Sequence, residues 1–177
     1  MDHNYMFSLG EVTLTPICES DIEVMRGWRN DPLNQPAFLT SSYIHAEQQK
    51  LWFYSYLAKA DDIMFIVNFG VESPGRVGMA GLYNINKLQG KAEFGRLLIG
   101  ESFARGKGLG IIVTRMICEF GFKELNLNEI CLEVLNNNSS AKNVYIKVGF
   151  IETDRFISEG KDIIRMSLFK ENLNEFN

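Results

Sequence analysis

Apolar and polar positions along this chain follow two rhythms, and the switches between them mark its elements. Glu11 to Thr15 alternates with the period of a strand. Ser20-Asp21-Ile22-Glu23 has the S-x-x-E form of a capping box, so a helix is expected from there to about Asn30, stopped by Asp31-Pro32. Leu33 to Tyr43, with Pro36 and Thr40-Ser41-Ser42, reads as a loop. A second helix is expected from Ala46 to Ala58, with Trp52, Phe53, Tyr56 and Leu57 turned to the core.

The middle of the chain reads as β structure. Ile63 to Phe69, Val77 to Ile85 and Lys91 to Ile99 are apolar runs separated by Glu72-Ser73-Pro74-Gly75 and by Gln89-Gly90, which predicts an antiparallel meander. From Leu109 to Phe122 the period changes: Leu109, Ile112, Val113, Met116, Ile117 and Phe120 form one stripe of an amphipathic helix. Glu129 to Leu135 alternates as a strand. The run Asn136-Asn137-Asn138-Ser139 offers caps for a helix with Ala141, Val144, Tyr145 and Val148 on one face, closed by Gly149. Phe150 to Phe156 and Ile163 to Phe169 are two more strands about the turn Glu159-Gly160-Lys161, and the tail from Asn172 to Asn177 is expected to fray.

Composition narrows the setting. A chain of 177 residues with 46% hydrophobic content fits one domain over 1–177 with a real core. A net charge of −4 argues against a broad basic surface for nucleic acid. Nothing approaches the run of about 18 apolar residues that would span a membrane, and Met1 to Gly10 lacks the pattern of a signal peptide, so a cytoplasmic location is expected. Cys18, Cys118 and Cys131 are far apart and read as reduced, structural residues; with only His3 and His45, no metal site is assigned.

Candidate chemistry begins at Arg105-Gly106-Lys107-Gly108-Leu109-Gly110, between a strand and a helix. Glycines there expose several N–H groups at the positive end of the helix dipole, which suits a phosphate. The spacing is neither G-x-G-x-x-G nor a P-loop, and these six residues alone also fit a plain strand-to-helix turn.

The order of elements, the R-x-x-G-x-G run and the pattern N-x-x-A-x-x-x-Y-x-x-x-G-F, met from Asn138 to Phe150, resemble the GCN5-related N-acetyltransferase (GNAT) superfamily. Trp28-Arg29-Asn30, Glu47 to Phe53 and Ala92-Glu93-Phe94-Gly95 resemble its ribosomal-protein and aminosugar branch, and Arg29-Asn30 before Asp31-Pro32 with Trp52-Phe53 resembles nucleotide-linked aminosugar N-acetyltransferases; Gln49 stands where that group commonly has a histidine. The resemblance implies an α/β (α+β) fold, with a mixed, mostly antiparallel sheet of six to seven strands flanked by about four helices. It further implies acetyl-CoA as cosubstrate, a small-molecule amine as acceptor, and a homodimer as an assembly open to it.

Residue roles implied by the resemblance follow its motif. Backbone groups of Gly106, Lys107, Gly108, Leu109 and Gly110, with the charges of Arg105 and Lys107, would hold the pyrophosphate. The strand end at Leu98 and Ile99 would pair with the pantetheine amides next to a β-bulge, Asn138 and Asn143 would add polar contacts, and Lys142 or Lys147 could meet the 3′-phosphate. Tyr145 would be the acid for the leaving thiolate and Glu93 the base, with an N–H near Ile99 for the oxyanion. Arg29, Asn30, His45 and Trp52 would contact the acceptor. The alternatives are a polyamine or protein N-terminal acetyltransferase, and a non-catalytic acyl-CoA-binding regulatory domain. Glu19, Asp21 and Glu23 sit too close to a plain helix start to count as a polyamine site.

Overall fold

The structure, a computed structural model, describes residues 3–35, 38 and 42–173. The strands are β1 (Phe7–Leu9), β2 (Val12–Pro16), β3 (Ile63–Phe69), β4 (Gly75–Asn86), β5 (Lys91–Ile99), β6 (Glu129–Leu135), β7 (Ile151–Ser158) and β8 (Lys161–Phe169). The helices are α1 (Ile22–Asn30), α2 (Ala46–Ala58), α3 (Leu109–Lys123) and α4 (Ser139–Val148). One eight-stranded sheet runs β1-β2-β3-β4-β5-β6-β8-β7. Neighbours are antiparallel except β5 and β6, whose parallel pairing is allowed by the crossover through α3.

The sheet therefore exceeds the expected six to seven strands by β1. Three residues are too few for alternation to register in sequence, and β1 exists because Phe7, Ser8 and Leu9 pair with Leu14, Thr13 and Val12. The first capping box also moves: Asp21 Oδ accepts from the Cys18 N–H at 2.8 Å, and its other oxygen meets Arg76 Nε at 2.9 Å. That partner from β4, invisible in local sequence, makes Asp21 rather than Ser20 the organising residue. Of the tail expected to fray, Asn172 closes a short turn of 3-10 helix that begins at Lys170, and residues 174–177 lie outside the described set.

Both faces of the sheet are packed, and β3 shows how. Ile63, Phe65 and Val67 join the core beneath α3 and α4, whereas Met64 and Ile66 join the core with Met25 and Trp28 of α1 and Phe53 and Tyr56 of α2. Both registers of the strand's two-residue period are apolar because both sides are covered. On β5 the pattern changes hand. Ala92 and Phe94 face the α3/α4 core, but Leu98 faces the α1/α2 core, while Leu97 and Ile99 pack toward α3 and α4. The cause is a bulge: Gly81 pairs with Gly95 and Met79 with Leu98, so β5 carries one extra residue there. Arg96 occupies it with φ 56, left-handed backbone that costs a non-glycine residue about 1–2 kcal/mol.

Candidate active site

The sheet opens where the chemistry was expected. β5 pairs with β6 only from Lys91–Glu129 to Glu93–Cys131, and beyond that the strands diverge. A cleft of about 680 Å³ fills the gap, lined by β5 from Phe94 to Ile99, by Glu133 to Leu135 of β6, by the glycine loop and by α4. Unpaired strand edges face it, able to accept an extended ligand with amides of its own.

The glycine loop closes one end of this cleft. Gly106 (φ 75) and Gly108 (φ 76) are both left-handed, and Gly108 is the N-cap of α3, a helix start that offers no side-chain oxygen to its own amides. Ile111 and Ile112 N–H groups return to the Gly108 carbonyl, whereas among the described residues no backbone hydrogen bond engages the N–H groups of Gly106 to Gly110. Unpaired amides at the positive end of a helix stabilise an anion there by about 0.3–1 kcal/mol each way the dipole acts, before direct hydrogen bonds are counted. Gly106, Gly108, Leu109 and Gly110 all line the cleft. The residues thus fit a pyrophosphate.

The flanking charges do different work. Arg105 lines the cleft, but its guanidinium donates to the carbonyls of Ile99 (3.2 Å) and Gly100 (2.8 Å) and to Asn34 Oδ1 (2.7 Å). It fastens the approach loop, and Asn34 in turn donates to the Trp28 carbonyl at 2.9 Å. Lys107 stands outside the cleft lining, with Nζ 5.1 Å from the centre of the Phe69 ring.

Helix α4 brings Tyr145 to the opposite wall. Its ring meets Phe94 edge-on at 6.1 Å and Phe150 at 5.8 Å, and the residue is buried yet lines the cleft. Burial, then the neighbouring Tyr83 and Cys118, raises its pKa well above the ordinary phenol value. Asn138 also lines the cleft, but its Oδ1 is used as the N-cap acceptor for the Ala141 N–H at 3.1 Å. Asn143 is exposed and outside the lining, and Lys142 donates to Asn136 Oδ1 at 3.0 Å.

A second cavity of about 420 Å³ adjoins on the α1/α2 side, lined by Met25, Arg29, Tyr43, Gln48, Gln49, Trp52 and Arg96 among others. Arg29 and Arg96 line both spaces. Arg29 stacks 4.0 Å over the Phe38 ring; burial first, and the charge of Arg96 second, pull its pKa down. Trp52 reaches the cavity from α2, while Phe53 and Tyr56 of the same stripe are core.

Asn30 and His45 frame this cavity without lining it. Asn30 clamps the chain before α2 by donating to the Ile44 carbonyl and accepting from the Ile44 N–H, both at 2.8 Å. His45 is the N-cap of α2, its own N–H bound to Gln48 Oε1 at 2.9 Å. Glu93 lies outside both spaces, opposite Tyr83 in register, accepting from Asn84 Nδ2 at 2.9 Å.

Three residues that sequence reading passed over do line the cleft: Tyr83, Arg96 and Glu133. Burial, then Glu93, pushes Tyr83 up to about 12. Glu133 is held by Arg165 at 2.7 Å. The available signal was a polar side chain within an apolar strand, since interior charge persists only when paired. Among the described residues, no group of three or more His, Cys, Asp or Glu is placed to hold a metal, and no helix is long and apolar enough to cross a membrane.

Free amides at a helix start beside unpaired strand edges suit a ligand that ends in phosphates and continues as an amide-bearing arm. That combination fits the coenzyme A which the resemblance to an acyltransferase domain implied. The sequence profile of the acetyltransferase (GNAT) domain family matches residues 11–151, and the chain belongs to that family. It is an N-acetyltransferase with acetyl-CoA as cosubstrate. Spermidine N(1)-acetyltransferase of Escherichia coli (strain K12) is 28% identical over 162 residues, 86% of this chain and 77% of that protein. The putative ribosomal N-acetyltransferase of Bacillus subtilis (strain 168) is 31% identical over 75 residues, 42% of this chain and 40% of that one. Spermidine N-acetyltransferase from Vibrio cholerae in complex with CoA and spermine shares the fold, with a TM-score of 0.84 at 21% identity over 92% of this chain and 97% of that one. A dodecameric structure of the same enzyme in an intermediate state has a TM-score of 0.73 at 23% identity, over 91% of this chain and 95% of that one. These relatives carry polyamine and ribosomal names, not the aminosugar name that the narrower resemblance implied.

Proposed function

We propose that the enzyme acetylates a primary amine on a small molecule seated in the second cavity, and that this molecule bears neutral or anionic groups, as a nucleotide-linked aminosugar does. The observation that carries the reading is the cavity lining, which among the described residues has two arginines and no carboxylate, although Arg96 is ion-paired with the buried Asp62 behind it. A cation about 5 Å from a guanidinium is repelled by roughly 3 kcal/mol at an effective dielectric near 20, and a polyamine brings several cations. The same guanidinium groups attract phosphate or carboxylate oxygens in a fork geometry.

A polyamine acceptor is the second reading, favoured by the Escherichia coli relative named for spermidine, which matches 86% of this chain. Thiol release with acetyl-CoA, followed across a nucleotide-linked 4-amino sugar, spermidine, an aminoglycoside and a peptide N-terminus, separates the two. Turnover of the sugar at least about tenfold above spermidine is expected. Turnover of spermidine alone overturns the anionic reading.

In the reaction, acetyl-CoA supplies an activated thioester. The chain's part is to hold it extended along β5 and to offer an N–H near Ile99 to the oxygen as negative charge develops. The amine lone pair forms the new C–N bond, the C–S bond breaks, and Tyr145 donates a hydrogen bond to the departing sulfur. Full transfer from a phenol raised above ~10 to a thiolate near ~8.5 runs uphill, so hydrogen bonding is the larger service and solvent completes the protonation. With Glu93 outside the cleft, the ammonium proton leaves to water before attack. The oxygen-rich surroundings of a sugar amine favour that loss.

A further inference from the structure

Arg96 is the one charged side chain of β5 that faces both cavities together with Arg29 of α1. Three features fix it. It occupies the extra position of the β5 bulge, in left-handed backbone at φ 56. Its terminal nitrogens donate to the two oxygens of Asp62 at 2.6 and 2.9 Å, and that carboxylate is 2% exposed. Its guanidinium carbon lies 4.6 Å from the centre of the Tyr83 ring and 6.0 Å from that of Trp52. The bulge turns the strand's side chains over, which sends Arg96 toward α1 and α2 just where β5 parts from β6.

This is more anchoring than a solvated surface charge receives. The fork on Asp62 uses two of five guanidinium N–H donors and leaves three for a ligand. Near it are Lys59 beyond α2, with Nζ 3.7 Å from Asp62, and the Tyr83 ring on β4, while Arg29 from α1 and Tyr43 before α2 line the same cavity. Arg96 and Lys59 both reach the Asp62 carboxylate, and Arg29 lines the same cavity.

We infer that Arg96 is the specificity-determining residue of the acceptor side. Held by Asp62 where the two cavities meet, its remaining donors bind a hydroxyl, carboxylate or phosphate oxygen of the molecule that carries the reacting amine, and its charge turns away a second ammonium. The inference rests on the neutral or anionic acceptor proposed above and names the group that enforces it. Arg29 lines the cavity beside it, and the orientation of Arg96 is set by the buried Asp62 carboxylate.

The test compares wild type with Arg96→Gln paired with Asp62→Asn, a replacement that leaves no buried carboxylate unmatched. Steady-state kinetics are measured with a uridine-diphosphate-linked 4-amino sugar and with spermidine, alongside CoA affinity and melting temperature. The ratio of kcat/KM for the sugar over that for spermidine is expected to fall at least about tenfold, mostly through KM for the sugar, with CoA affinity kept within about threefold. Arg96→Lys, which keeps the charge without the fork, is expected to keep rejecting spermidine while losing affinity for the sugar. An unchanged ratio in the folded double variant overturns the role of Arg96 and leaves the acceptor class standing. Wild type acting on spermidine alone overturns the acceptor class itself.

Discussion

The cleft proposed for the coenzyme and the cavity proposed for the acceptor meet at Arg29 and Arg96, yet they are made of different material. The cleft is built from backbone: diverging edges of β5 and β6, and free amides of a loop whose two left-handed glycines lie two residues apart. The second cavity is built from side chains brought together from α1, the segment before α2, α2, β3, β4 and β5. Backbone sites are contiguous in sequence and tolerate few residue types, so a short motif announces them. Side-chain sites gather single residues across the chain, and each reads locally as something ordinary.

The deepest break in this comparison is expected at Tyr145, a side chain set into the backbone-built half. Tyr145→Phe should lower kcat by ~10²-fold while leaving CoA affinity within a few-fold, the size of a positioned proton or hydrogen-bond donor. Because burial raises its pKa, the alkaline limb of the wild-type kcat profile should stay flat through pH 10, where a free phenol would lose its proton. An unaltered kcat in the phenylalanine variant would leave the hydroxyl no part in the reaction.

The two halves are mechanically joined just after β5. Trp28 of α1 packs directly on Gly100, so that a Cβ there would fall inside the indole, and Trp28 Nε1 donates to Glu101 at 2.8 Å. Gly100→Ala should destabilise the protein by about 1–3 kcal/mol through overpacking, roughly 2–12 °C in melting temperature for a chain of this size, and should raise KM for both substrates. A loss confined to one substrate would show the halves to be independent.

Gly108→Ala sharpens the contrast on the coenzyme side alone. A Cβ at this position meets open space, so the strain comes from φ 76 only, on the order of 1–2 kcal/mol. A loop relaxing to avoid it would misdirect the amides and raise KM for acetyl-CoA about tenfold, with the acceptor KM little changed. Equal effects on both substrates would place the loop in the acceptor site as well.

How much of this was legible follows the same divide. β3, β5, β6 and α2 were readable to the residue because their periodicity and breakers are local. The loop from Gly106 to Gly110 and Tyr145 were readable because a motif spans them. β1 was hidden by its length, and the Cys18–Asp21 turn by Arg76, more than fifty positions away. Arg96 was hidden most deeply. Lys91 to Ile99 reads as one uninterrupted strand, and nothing in it says that the bulge turns its later side chains to the opposite face or that Asp62 waits there. Asn30 and His45, expected at the acceptor, show the converse. Their polarity suggested a ligand, and the structure uses it to clamp Ile44 and to cap α2.

Glu93 carries the smallest expected effect and the sharpest consequence for the comparison. It lies on β5 at the last pair before the strands part, one residue from Phe94 of the cleft wall, so a water relay would be the only way for it to act as base. Its carboxylate instead accepts from Asn84, whose left-handed φ of 51 marks a second irregularity opposite β5. Glu93→Gln keeps an oxygen for that hydrogen bond. Activity is expected within about twofold of wild type, with the acid limb of the kcat profile unmoved, on the proposal that the acceptor's proton leaves to water. A displaced acid limb would return Glu93 to catalysis, and with it would make the acceptor side, like the coenzyme side, legible from the central strand.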